Sequence, residues 1–127
     1  DIAKYLIKKL DIATPGIHTP VRMLSGGNVQ KVLLGREIEA GRDVLIVSYP
    51  VRGLDINSSY MIYNLLDEER KRGTAIIFVG EDLDVLMALS DRIMVMADHR
   101  IAGITDARTV TKDYLGSLMT DTKGQVI

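Results

Sequence analysis

Two short stretches carry residue types that could do chemistry. The first is "LSGGNVQ", residues 24–30, which places Ser25, Gly26 and Gly27 where a helix is predicted to begin. A helix start leaves several backbone N–H groups unpaired and carries partial positive charge, so it attracts anions. The glycines would let a phosphate approach the backbone, and Ser25 could donate a further hydrogen bond. The alternative is that Ser25 is an ordinary helix cap, and two glycines alone do not exclude this.

The second stretch is "DVLIVSYPVRGLD", residues 43–55. Its apolar residues 44–47 predict a strand, and in open α/β folds the chemistry collects beyond the carboxyl end of such strands. A nucleotide hydrolase is expected to keep acidic residues there, for magnesium and for water. Ser48 and Tyr49 occupy these places instead, and the first acidic residue after the strand is Asp55.

The elements that must position these stretches alternate between helices and strands. Helices are predicted over residues 2–10, 26–40, 58–71, 83–89 and 107–119, and strands over residues 44–47, 74–79, 91–97 and 101–105. The strands are continuously apolar, which predicts burial on both faces and a parallel sheet flanked by helices. The predicted fold class is therefore α/β. In the second helix an apolar set is predicted to face inward and Lys31 to point elsewhere, and residues 120–127 read as a frayed tail.

Composition narrows the class of protein. The chain has 127 residues, of which 46% are hydrophobic, enough for one domain with a buried core. The formal net charge of −1 argues against a nucleic-acid surface. There are no cysteines, hence no disulfide and no thiolate site, and the apolar runs are too short to span a bilayer. The sequence opens inside an amphipathic helix without a starting methionine, which suggests a segment of something longer.

Several motifs, taken in order, resemble one family. "LSGGN" (24–28) is similar to the signature motif of ABC-type ATPases, and "GLD" (53–55) resembles their D-loop. "LSDRIMVMADHRIAG" (89–103) resembles their closing strand pair. "PVRGLD" (50–55) and "VGEDLD" (79–84) are most similar to the second nucleotide-binding half of tandem ATPases that energise uptake of simple sugars and nucleosides. The resemblance covers essentially the whole chain.

The resemblance implies a partial domain. No G-x-x-x-x-G-K-[ST] phosphate loop occurs in the sequence, and in the family it would precede Asp1. The chain would thus be the carboxyl-terminal portion of an ABC-type P-loop ATPase domain without its Walker A part. Residues 1–40 would form the end of the helical subdomain and the signature helix. Residues 41–127 would form the Walker B strand, the D-loop and the carboxyl-terminal core.

The resemblance also implies that this half has lost its own hydrolytic site. Ser48 matches the position of the magnesium-organising aspartate, Tyr49 that of the catalytic glutamate, and Glu81 that of the switch histidine. A serine hydroxyl brings no charge to hydrated Mg²⁺, and an uncharged phenol cannot orient water as a carboxylate does. No catalytic residue and no metal ligand are therefore expected in this chain.

The signature implies the opposite for a neighbouring site. In this family each ATP lies between the phosphate loop of one half and the signature of the other. Ser25, Gly26, Gly27 and Asn28, which we name the signature segment, would therefore contact the ATP of the partner half. Asp55 in the D-loop would reach across the same interface. ATP and Mg²⁺ are expected in the intact assembly, whereas the isolated chain is expected to bind neither and to be inactive.

The resemblance finally implies partners and a location. These are the missing amino-terminal part, the partner nucleotide-binding half, membrane permease subunits and, indirectly, an extracellular solute-binding protein, but no nucleic acid. The location would be peripheral, at the cytoplasmic face of the cell membrane. The solute stays open, because specificity would lie in the other subunits. Two alternatives also stay open: a non-transport ABC ATPase, and a structural half-domain that binds no nucleotide.

Overall fold

The computed structural model describes residues 1–120, which divide into two compact units between Val79 and Gly80. The first unit contains α1 (Ile2–Lys9), a short 3-10 turn (Val21–Met23), α2 (Gly26–Glu39), β1 (Val44–Ser48), α3 (Ile56–Lys71) and β2 (Ala75–Val79). The second contains α4 (Leu83–Leu89), β3 (Arg92–Ala97), β4 (Arg100–Asp106) and α5 (Lys112–Thr120). Of the predicted tail, Thr120 ends α5 and residues 121–127 lie outside the described residues. Across residues 1–120, no helix has both the length and the apolar character needed to cross a bilayer.

The first unit is built on a parallel strand pair. β1 and β2 pair in register from Val44 opposite Ala75 to Ser48 opposite Val79. The helix α3 connects them, so the chain forms the strand–helix–strand unit that is typical of α/β folds. The predicted α/β class is confirmed.

Within residues 1–120, one face of this two-stranded sheet is buried and the other is exposed. Leu45 and Val47 lie in a core shared with side chains of α1, α2 and α3. Val44 and Ile46 point to the opposite face, where their exposed fractions are 54% and 67%. The prediction of burial on both faces is wrong for the described residues, because the helices of this unit share one core with a single face of the strand pair.

The helices α1 and α2 approach each other closely at Gly35. A Cβ atom built on Gly35 would lie 2.7 Å from Leu10 Cδ1 and 2.9 Å from Leu6 Cδ2. Leu6 and Leu10 are themselves buried, and Leu10 has no exposed surface. Gly35 is thus the residue without a side chain that lets the two helices pack at this distance.

The second unit is organised around an antiparallel hairpin. β3 and β4 pair from Arg92 opposite Asp106 to Ala97 opposite Arg100, with an irregularity between Val95 and Met96. The connecting residues Asp98 and His99 both have left-handed backbone conformations, with φ of 47° and 60°. Two consecutive left-handed residues suit a two-residue hairpin turn, because their twist matches that of the strands.

The last helix begins later than the sequence predicts. α5 starts at Lys112 and not at residue 107. Asp106 holds the intervening residues in a turn: its side chain accepts from Arg108 N–H at 2.8 Å, and its carbonyl accepts from Val110 N–H at 3.1 Å. Thr111 then accepts from Tyr114 N–H through its hydroxyl at 3.2 Å, which caps the helix.

A buried hydroxyl in β4 offers a test of the second unit's energetics. Thr105 Oγ1 is buried and has no hydrogen-bond partner among the described residues. Thr105→Val replaces the hydroxyl with a methyl group of similar size, so it is expected to raise the free energy of unfolding by roughly 1 kcal/mol. Denaturant titration measures this, with Thr109→Val at an exposed position as the near-neutral control. A loss of stability in Thr105→Val alone would show that the hydroxyl is satisfied.

Candidate functional site

An open cleft of about 590 Å³ lies in the first unit, between the first turns of α2 and the turn that precedes α3. It brings together every residue that the sequence predicts as a nucleotide contact: Ser25, Gly26, Gly27, Asn28 and Asp55. Its remaining lining residues are Gln30, Lys31, Arg52, Gly53, Leu54 and Ser58. The two motifs, separated by more than twenty residues in the chain, are therefore neighbours in space.

Ser25 stands at the N-cap position of α2 without capping it through its side chain. Its backbone is extended, and its hydroxyl makes no hydrogen bond to the N–H groups of the first helical turn. The hydroxyl oxygen instead accepts from Asn28 Nδ2 at 2.8 Å. Asn28 Oδ1 in turn accepts from Ala13 N–H at 2.9 Å. The first turn of α2 also contains no acidic side chain, so the helix itself brings no negative charge to its positive end.

The two glycines of the signature segment serve different purposes. A Cβ atom on Gly26 would meet nothing within 4 Å, so the backbone here is open to an approaching group. A Cβ atom on Gly27 would lie 2.9 Å from Leu54 Cδ2. Gly27 therefore allows close packing of α2 on the turn before α3, and Gly26 leaves the surface above it free.

Asp55 is the N-cap of α3. Its carboxylate accepts from Ser58 N–H at 3.0 Å and from the Ser58 hydroxyl at 2.7 Å. The backbone N–H and then the hydroxyl of Ser58 hold the pKa of Asp55 below its usual range, so the carboxylate is charged at neutral pH. The capping explains why α3 starts at Ile56 and not at the predicted residue 58. The charged group thus sits at the rim of the cleft and is held by the helix that it caps.

Ser48 and Tyr49 lie at the end of β1, and neither is among the lining residues of the cleft. Tyr49 has a left-handed backbone with φ of 49°, which is unusual for a bulky residue. Its N–H donates to Val79 O at 2.9 Å, and its carbonyl accepts from Arg52 N–H at 3.1 Å. The backbone of Tyr49 therefore holds the turn, while the residue as a whole is 40% exposed and the Arg52 guanidinium lies 5.9 Å from the centre of its ring.

Glu81 belongs to the second unit, where it is exposed and lies two residues before α4 begins at Leu83. Within residues 1–120, no group of three or more histidine, aspartate or glutamate side chains is arranged to hold a metal ion.

Lys31, which also lines the cleft, does not point outward as the sequence predicts. It is buried, although its charge predicts an outward position on α2, and its Nζ donates to the Asp11 carbonyl at 3.0 Å. The apolar Leu33, predicted to face inward, is 51% exposed. The spacing of the residues could have indicated this position, because Lys31 follows Asn28 by three residues and so lies on the same face of α2.

Curated relatives match the chain over most of its length. It is 40% identical over 112 residues to the galactose/methyl galactoside import ATP-binding protein MglA of Clostridium tetani, covering 88% of this chain and 22% of the relative. It is 40% identical over 117 residues to the guanosine import ATP-binding protein NupO of Bacillus subtilis, covering 92% and 23%. The MglA of Escherichia coli is 36% identical over 112 residues. The chain thus spans less than a quarter of the length of these relatives, and no protein-family model matches it.

Solved structures identify the fold. The dimeric structure of the ABC transporter cassette MJ0796 superposes with a TM-score of 0.73 at 21% identity, covering 86% of this chain and 47% of the cassette. A post-hydrolysis state of the same cassette, bound to ADP and phosphate, gives a TM-score of 0.74. The described architecture is therefore that of part of an ABC cassette, in agreement with the predicted fold class.

Proposed function

Because this chain is homologous to the ATP-binding proteins of ABC import systems, we propose that it is part of a subunit whose ATP hydrolysis energises import of simple sugars or nucleosides. Two relatives of equal identity, 40%, are named for a galactoside and for guanosine. The similarity therefore supports the broad class of solute without favouring either member. Specificity for one solute would lie in the permease and the external binding protein.

The observation that carries the proposal is the cleft shared by the signature segment and Asp55. The first turn of α2 offers the positive end of a helix without an acidic residue in that turn, an open backbone at Gly26 and a hydroxyl at Ser25. These are the features that bind phosphate groups at helix starts. The ATP, with its Mg²⁺, would be held by the phosphate loop of a partner half, and this surface would complete the site from the opposite side.

We propose that this half contributes no hydrolysis of its own. Ser48 and Tyr49 would stand where acids organise Mg²⁺ and water, and Glu81 would stand where a histidine faces the γ-phosphate. Phosphoryl transfer depends on positioning and on stabilising charge, so the loss of both acids removes most of its catalysis. The assembly would then be asymmetric, with one degenerate site and one working site completed by the signature segment.

The same proposal assigns the two parts of the chain to regions of an ABC domain and names the partners of the assembled protein. Residues 1–40 would belong to the end of the helical subdomain and the signature helix, and residues 41–127 to the Walker B strand, the D-loop and the carboxyl-terminal core. Asp55, already held in its charged form by Ser58, would face the partner half. The assembled protein would bind permease subunits at the cytoplasmic face of the membrane, as a peripheral subunit, and would respond indirectly to the solute-binding protein.

Titration and single-turnover experiments test this function together. The isolated chain is expected to show no micromolar binding of ATP by calorimetry, because its sequence contains no phosphate loop. A complete tandem ATP-binding protein that carries this segment is expected to release one phosphate per molecule in a single turnover.

The matched control is the same tandem protein with the phosphate-loop lysine of the partner half replaced, which should release none. Micromolar binding by the isolated chain, or two phosphates per tandem molecule, would contradict the proposed asymmetry.

A further inference from the structure

Asn28 is the middle member of a hydrogen-bond chain that ends at Ser25. Its Oδ1 lies 2.9 Å from Ala13 N, and its Nδ2 lies 2.8 Å from Ser25 Oγ. A backbone N–H can only donate, so the end of the Asn28 amide that faces Ala13 must be the oxygen. The NH₂ end therefore faces Ser25, whose oxygen must accept.

This arrangement decides where the Ser25 proton can point. A hydroxyl has one proton to donate and two lone pairs that accept. Since Asn28 donates to the oxygen, the proton cannot be directed at the Asn28 amide. In the described part of the chain, the Ser25 hydroxyl donates no hydrogen bond of its own. Its proton is thus left for a group that enters the cleft, and a phosphate oxygen, which only accepts, matches it.

A second contact keeps Asn28 in this orientation. One helical turn further along α2, Lys31 Nζ donates to the Asp11 carbonyl at 3.0 Å. Ile12 lies between Asp11 and Ala13, the two residues that bond to α2. It is buried in the core of the first unit, and its N–H donates to Ile7 O at 3.0 Å. The segment of chain after α1 is therefore fixed against α2, so the Ala13 N–H that donates to Asn28 Oδ1 is held in place.

We propose that Asn28 is a positioning residue, which holds the Ser25 hydroxyl with its proton directed into the cleft. Ser25 then donates to a phosphate oxygen of the ATP that the partner half carries, so this role rests on the proposed function. Asn28 acts through Ser25, and its own contact with the nucleotide is not required. A hydrogen bond to a charged group commonly changes an equilibrium or rate by roughly 10- to 100-fold.

A double-mutant cycle in a complete tandem protein that carries this segment tests the role. Ser25→Ala and Asn28→Ala are each expected to lower the single-turnover rate of ATP hydrolysis by roughly 10-fold or more. The double variant is expected to be no slower than the slower single variant, because Asn28 acts only through the Ser25 hydroxyl. Losses that multiply in the double variant would overturn the proposal.

Asn28→Asp separates positioning from folding. Aspartate keeps an acceptor for Ala13 and adds negative charge at the start of α2, where the helix dipole favours it. Its second oxygen, however, accepts the Ser25 proton and turns it away from the cleft. The expected result is an unchanged or raised unfolding midpoint together with a loss of hydrolysis of roughly 10-fold or more.

Gln30→Glu is the matched charge control, because Gln30 lines the same cleft but bonds to the Tyr49 carbonyl and not to Ser25. It should slow hydrolysis less than Asn28→Asp does, and an equal loss would overturn the positioning role. If Ser25→Ala leaves hydrolysis unchanged, the proposed function itself fails. If Ser25→Ala slows hydrolysis and Asn28→Ala does not, only the positioning role fails.

Discussion

Ser25→Glu is expected to lower ATP hydrolysis by roughly 100-fold or more in a complete tandem protein that carries this segment. The substitution removes the hydroxyl donor and places a carboxylate at the start of α2, where it would repel the phosphates of the partner's ATP. The same charge is favourable at a helix start, so the fold should be retained. Steady-state phosphate release measures the loss, and thermal unfolding of the same preparation checks that the protein remains folded.

The matched variant is Ser48→Ala, at the end of β1. Ser48 brings no charge to a magnesium site and does not line the cleft. Its loss is therefore expected to change hydrolysis by no more than about twofold. If Ser48→Ala proved more damaging than Ser25→Glu, this half would be using its own site, and the asymmetric assembly would have to be abandoned.

Gly35→Leu is expected to destabilise the first unit strongly. Even a Cβ atom at this position would lie 2.7 Å from Leu10 Cδ1, and both leucines that it meets are buried. The further carbons of leucine must push α1 away from α2 or force strained side chains. Overpacking of this kind costs about 1–3 kcal/mol, and denaturant unfolding of the chain measures it directly.

Gly26→Leu, in the same helix, is the control for Gly35→Leu. A Cβ atom on Gly26 meets nothing within 4 Å, so the substitution should change stability by less than about 0.5 kcal/mol. Gly35→Ala should fall between the two, because the gain in helix propensity offsets part of the crowding. Equal stability of Gly35→Leu and Gly26→Leu would mean that α1 and α2 can separate without loss.

The local features of the site were accessible from sequence because they depend on short-range chemistry. Two glycines after Ser25 predict an open helix start, and the structure has α2 beginning at Gly26. The sequence predicts the start of α3 at residue 58, two residues later than Ile56, where the helix begins. Asp55 caps this earlier start by accepting two hydrogen bonds from Ser58, a pattern that the spacing of the two residues could have indicated.

Features that depend on distant partners could not be predicted in this way. Lys31 is buried because its acceptor, the Asp11 carbonyl, is twenty residues away in the chain. Ile46 is exposed because the helices pack on the other face of β1, and an apolar run does not reveal which faces will be covered. The hydrogen bond from Ala13 N–H to Asn28 likewise follows from the folded loop, fifteen residues away, and not from the motif.

The turn after β1 depends on the backbone of residue 49 and not on its side chain. Position 49 holds the turn through its N–H and carbonyl, which any residue except proline can supply in full. The side chain there is therefore replaceable, subject to the left-handed backbone, which glycine and asparagine tolerate best. A gene can exchange an acid for tyrosine at such a position and still encode the same turn beside the cleft. If this half has lost its hydrolytic site, as we propose, mutational drift would have removed a reactive group while leaving the surface that serves the partner half.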